Sequence, residues 1–137
     1  MELEMFDTGC PFLNGKMSLV SFLPTFDLSV LIENLKHSYS WKKGDMNSMI
    51  LLKNPVRQIV LILLHDRTEI RFFQSEDSVS FQIIDGKLRF KTREESIILY
   101  KGQLLTFHEK IKYRFTTMEE TVFLMAIEKG NLKDVGN

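Results

Sequence analysis

The chain has 137 residues, enough for one domain with a single buried core. Apolar residues make up 44% and charged residues 26%, and 18 basic residues balance 18 acidic ones, so no net field draws the chain to nucleic acid or an anionic membrane. Cys10 is the single cysteine, which excludes a disulfide within these residues and a cysteine-built zinc site, and suits a reducing, cytoplasmic setting.

Residues 1–54 read as an N-terminal extension packed on a barrel made by residues 55–137. Glu2 and Glu4 open it with no basic stretch and no long apolar run behind them, so a signal peptide is not expected. No segment approaches the roughly 18 consecutive apolar residues of a membrane span. Cys10 reads as a small apolar residue in a loose segment, since no base or cationic neighbour accompanies it to make a nucleophile. Gly15, Pro24 and Gly44 mark turns. Asp27 is a good N-cap, and Leu28, Leu31, Ile32 and Leu35 follow at helical spacing, predicting a short helix whose apolar stripe must lie against something. His37 ends that helix, where the dipole favours positive charge, and Trp41 is expected to cover an edge of the core.

Beyond residue 51 the signals are for strands. Residues 58–64 are apolar on both faces, as in a strand buried from both sides. Val79, Phe81 and Ile83 alternate with Ser80, Gln82 and Ile84, Asp85-Gly86 gives a hairpin signal, and residues 87–91 alternate after it. Residues 97–100 form another strand, with a Lys101-Gly102 turn behind it. Ile111, Tyr113 and Phe115 face one way while Lys110, Lys112 and Arg114 face the other, and residues 121–127 close the series. Lys42, Lys43, Lys110, Lys112 and Arg114 make no long basic stripe, which again disfavours nucleic acid. Short strands at regular spacing predict an all-β sandwich or barrel.

The stretch 60–127 resembles the barrel of the small cupins. That family carries glycine, five residues, His-x-His, three or four residues, Glu, six residues, glycine; then glycine, five residues, Pro-x-Gly, two residues, His, three residues, Asn. Counted back from Gly86, the first motif falls on Arg67, Phe73, Ser75, Val79 and Gly86; counted on from Gly102, the second falls on Gly102, His108, Lys110, Tyr113 and Thr117. Only Gly86 and Gly102 keep the family's residue type. The segments F-Q-I-I-D-G-K-L-R-F, I-L-Y-K-G-Q-L-L-T and E-E-T-V-F-L-M-A-I are similar to the family's text around those positions. The resemblance implies a double-stranded β-helix, a jelly-roll barrel with a short N-terminal helix.

In the family, three histidines and one glutamate of these motifs hold a divalent metal. Here Phe73 and Val79 offer no lone pair, Ser75 offers only a neutral hydroxyl, and Tyr113 is one phenol in place of four ligands, so no metal or other cofactor is expected. If the family's ligand positions face the lumen, Phe73, Ser75, Phe81, Tyr113 and Phe115 line it and His108 stands at its rim. That lining suits a pocket for a small apolar or aromatic ligand. It suits a core filled by its own rings better, since small barrels are often filled by their own side chains. A nucleophilic Ser75–His108 pair lacks a third orienting group, and His108 and Glu109, adjacent on a strand, point to opposite faces. His65 reads as the start of a turn after a buried strand. The surplus apolar surface of residues 59–64 and 122–127 calls for cover by the helix or by a second subunit, and a homodimer is expected. Three functions remain open: a metal-free module that binds or senses a small molecule, a metal-independent enzyme of isomerase or epimerase type using Tyr113 or His108, and a scaffold for dimerisation or partner contact.

Overall fold

A computed structural model describes residues 2–6, 24–44, 46–73, 78–107 and 112–129. In chain order they form β1 (Glu2–Phe6), α1 (Leu28–Lys36), α2 (Tyr39–Lys42), β2 (Asn47–Lys53), β3 (Arg57–Leu64), β4 (Glu69–Phe73) and β5 (Ser78–Asp85). There follow β6 (Lys87–Thr92), β7 (Ser96–Tyr100), β8 (Leu104–Phe107), β9 (Lys112–Thr117) and β10 (Thr121–Glu128). Two five-stranded sheets face each other, one ordered β1-β4-β9-β6-β7 and the other β2-β3-β10-β5-β8. All pairings are antiparallel except β1 with β4. β1 and β2 both precede residue 55, so the N-terminal region supplies a strand to each sheet as well as the helix.

The period-two pattern sorts side chains between two clusters. Ile62, Leu64, Ile70, Phe81, Ile83, Leu88, Phe115 and Phe123 fill the space between the sheets. Trp41, Leu51, Leu61, Leu63 and Val122 form a second cluster on the outer face of the β3–β10 pair. Leu28, Leu31, Ile32 and Leu35 of α1 pack on that second cluster, so the surplus apolar surface of β3 and β10 is covered by the chain's own helix. Asp27 caps α1 by accepting a hydrogen bond from the Val30 amide at 3.3 Å, and His37 closes it with Nδ1 2.7 Å from the Glu33 carbonyl. Trp41 is buried and stacks on His65 with ring centroids 3.6 Å apart, while His65 Nε2 donates to the Trp41 carbonyl at 3.0 Å. That double contact ties α2 to the end of β3.

The expected hairpin at Asp85-Gly86 is a corner between sheets. β5 pairs with β10 and β8, whereas β6 pairs with β7 and β9. Gly86 has the φ of +94° that the dipeptide suits, but the chain leaving it crosses to the opposite sheet. An Asp-Gly step encodes a reversal; which strand receives the chain is decided by packing elsewhere. Thr121 fastens the corner, its hydroxyl 3.2 Å from the Lys87 amide and 3.1 Å from the Lys87 carbonyl.

Candidate functional site

Between the sheets the aromatic residues converge. Phe81 lies edge-on to Tyr113, Phe115 and Phe123 at centroid distances of 5.8, 5.5 and 5.7 Å. Tyr113 stacks on Phe90 at 5.1 Å and meets the edge of Phe107 at 5.0 Å. Rings at these spacings are in direct contact. Phe81, Tyr113 and Phe115 of the expected lining are thus brought together in the barrel's interior, with Phe81 in contact with each of the other two.

Ser75 and His108 lie outside the described residues. Phe73 is described by its backbone alone: Ile70 pairs with Phe115, Phe72 with Tyr113 and Phe73 with Lys112.

Three glycine positions of the motifs have a left-handed backbone, although at the first of them the residue type differs. Arg67 stands at the first glycine of the first motif and has φ +60°, the left-handed conformation that glycine adopts without cost; Gly86 and Gly102 have φ +94° and +87°. Val79 and Tyr113, at two ligand positions of the motifs, are 2% and 4% exposed within the interior. A valine has no lone pair, and burial pushes the Tyr113 phenol well above its ordinary value of 10.0. The donor set at these positions does not suit a divalent cation. A phenol held neutral at physiological pH is also a poor general base.

The raised Tyr113 value has a pH consequence. Below pH 10 the ring is protonated in both folded and unfolded chains and opposes nothing. Above that, the unfolded chain ionises while the folded one resists, so this contribution to stability is lost as pH climbs toward the folded value. Tyr113→Phe is expected to flatten the loss of stability above pH 10, measured by denaturant unfolding at stepped pH, and the wild-type minus Y113F absorbance titration should rise only as the chain unfolds.

One open space among the described residues lies where β4 and β6 end and β9 begins. A cavity of about 470 Å³ there is lined by Arg71, Lys91, Thr92, Arg93, Lys112, Tyr113 and Arg114. Its volume is in the range of small-molecule sites. At the same end of the barrel Gln58 is 3% exposed, in a register row with Ile127, Val79 and Phe107, and its amide Nε2 finds no hydrogen-bond acceptor among the described residues. Sequence reasoning missed both features. Gln58 was legible from its parity with Val60, Ile62 and Leu64. The cavity was not, because its residues come from three separate strands.

Neither a family model nor a curated protein sequence matches the chain. Solved structures do. A cupin-2 domain protein from Shewanella frigidimarina superposes with a TM-score of 0.61 at 11% identity, over 77% of this chain and 96% of that one. The cupin domain of Schizosaccharomyces pombe Cnp3 gives 0.60 at 14% identity, over 66% and 69%. Ectoine synthase from P. lautus gives 0.57 at 14% identity, over 67% and 72%. The chain has the cupin fold. Its two facing sheets are the jelly roll that the glycine placement implied, and the Arg67, Gly86 and Gly102 backbones occupy the corners of that cupin barrel. Among the described residues no group of three histidine, cysteine or acidic side chains gathers in it, and no helix is long and apolar enough to cross a membrane.

Proposed function

We propose that this cupin-fold chain is a metal-free, non-catalytic module that binds or senses a small organic molecule at the mouth of its barrel, with the barrel's interior serving as support. The cavity of about 470 Å³ beside Tyr113 carries the reading. The packing of Phe81, Phe90, Phe107 and Tyr113 supports placing the ligand at the mouth, since contacting rings leave a ligand no room between them. Tyr113 and Thr92 form the inner wall of the site, Phe81 braces Tyr113 from behind with Phe115 against it, and Phe73, Ser75 and His108 stay candidate ligand contacts. Gln58 offers a buried amide donor to the same end of the barrel, and a donor without a partner costs about 1–3 kcal/mol until an acceptor arrives.

A cytoplasmic location and a two-fold homodimer belong to the same proposal. The lone cysteine supports the first. For the second, Tyr100 and Leu104 are 52% and 62% exposed beside β7 and β8, each the end strand of its sheet. Thermal unfolding in the presence of a panel of neutral aromatic compounds, carboxylates and phosphate esters tests the binding reading. A ligand at a hundred times its Kd adds about 2.7 kcal/mol of stability and raises the unfolding temperature by several degrees. No shift by any member of the panel would contradict it.

A further inference from the structure

The fold assembles a row of cations that the sequence keeps far apart. Arg71 on β4 pairs directly with Arg114 on β9, and Arg114 pairs directly with Lys91 on β6. Tyr113 and Phe115 of β9 and Phe90 of β6 point inward, so these three positions share the outer face of their sheet. The row is bounded at its ends by the register positions of Glu4 on β1 and Ser96 on β7. Lys112 and Arg93 join the row around the cavity, and no carboxylate stands among its described lining residues. Glu69 reaches Arg71 at 3.6 Å, whereas Arg114, Lys91 and Arg93 form no ion pair with a described residue. Like charges directly opposite on neighbouring strands destabilise a sheet. A chain with equal numbers of basic and acidic residues has acids to spare for these positions, yet five cations surround one cavity.

We infer that this cavity takes a phosphorylated small molecule, with Arg71, Arg114 and Lys91 holding its phosphate oxygens. The inference rests on the binding reading above and names the ligand class of that site. Adjacent strands lie about 4.8 Å apart, so the row spans roughly 10 Å, a span that long arginine and lysine side chains can close onto one anion, and a carboxylate offers them only two oxygens. A phosphoryl group presents three oxygens in three directions, and the arginine fork binds them in pairs. The volume beyond the phosphate leaves space for an organic part against Tyr113 and Thr92.

Isothermal titration with inorganic pyrophosphate, citrate and a short RNA oligonucleotide tests it, using wild type, Arg114→Gln and, as a surface control away from the cavity, Arg57→Gln. Pyrophosphate is expected to bind wild type and R57Q alike and to bind R114Q about 10–100-fold more weakly. Without ligand, R114Q is expected to unfold about 1–4 °C higher at low salt because a like-charge contact is gone, which also certifies that it folds. Equal weakening in R57Q, preference for citrate, or binding of RNA alone would each overturn the phosphate assignment. Binding of a neutral compound from the panel with no anion bound would overturn it while leaving the small-molecule reading intact, and binding of nothing would overturn both.

Discussion

Phe81→Ala is expected to lower the unfolding free energy by about 3–5 kcal/mol, the cost of emptying a large buried aromatic site. Phe81 is 1% exposed and, among the described residues, touches the rings of Phe90, Phe107, Tyr113, Phe115 and Phe123. Those neighbours come from both sheets, so the deletion loosens the two halves of the barrel against each other. Domains are stable by only about 5–15 kcal/mol, which makes this a large fraction of the whole. Urea unfolding followed by circular dichroism reads it out. A loss under about 1 kcal/mol would mean that the rings repack freely and that the interior is not the tight aromatic cluster described.

The second large effect is at Gly86. Alanine there is expected to cost about 2–4 kcal/mol, combining the strain of a left-handed backbone with a steric conflict. An added Cβ would sit 2.6 Å from Thr121 Cα and 2.7 Å from its hydroxyl, with the Glu120 carbonyl also in contact. Gly102 is the internal comparison. It has φ +87° with nothing within 4 Å of its Cβ position, so Gly102→Ala should cost only the backbone term, about 1–2 kcal/mol. The two variants, measured side by side by denaturant unfolding, separate the strain from the crowding at the corner. Equal costs would remove the claim that Thr121 occupies the Gly86 corner.

Strands β3, β5, β6, β7, β9 and β10 were legible because each carries its own period-two signal or a continuous apolar run. The helix at Asp27 was legible from its cap and stripe. β1 and β8 left no comparable trace: β8 has four residues and pairs only with β5, so its strand state depends on that neighbour. Arg67 shows the opposite case. Its residue type hides a glycine-like backbone that only the motif spacing exposed, and the φ of +60° supports that spacing.

The candidate site was legible in part and for a definite reason. Tyr113, Phe115 and Phe81 were placed by alternation within single strands. Phe73 is described by its backbone alone, and Ser75 and His108 lie outside the described residues. The basic residues looked scattered because Arg71, Lys91 and Arg114 lie far apart in sequence; cross-strand register alone makes them neighbours. Register between strands is set by the whole fold, and no local pattern contains it.

The most direct measurement is the metal content of the purified chain. After exposure to manganese, iron(II), cobalt, nickel and zinc salts and desalting, elemental analysis should find each metal far below one equivalent per chain. One equivalent of any of them, retained by wild type and lost on changing Tyr113 or His108, would contradict the proposed metal-free barrel.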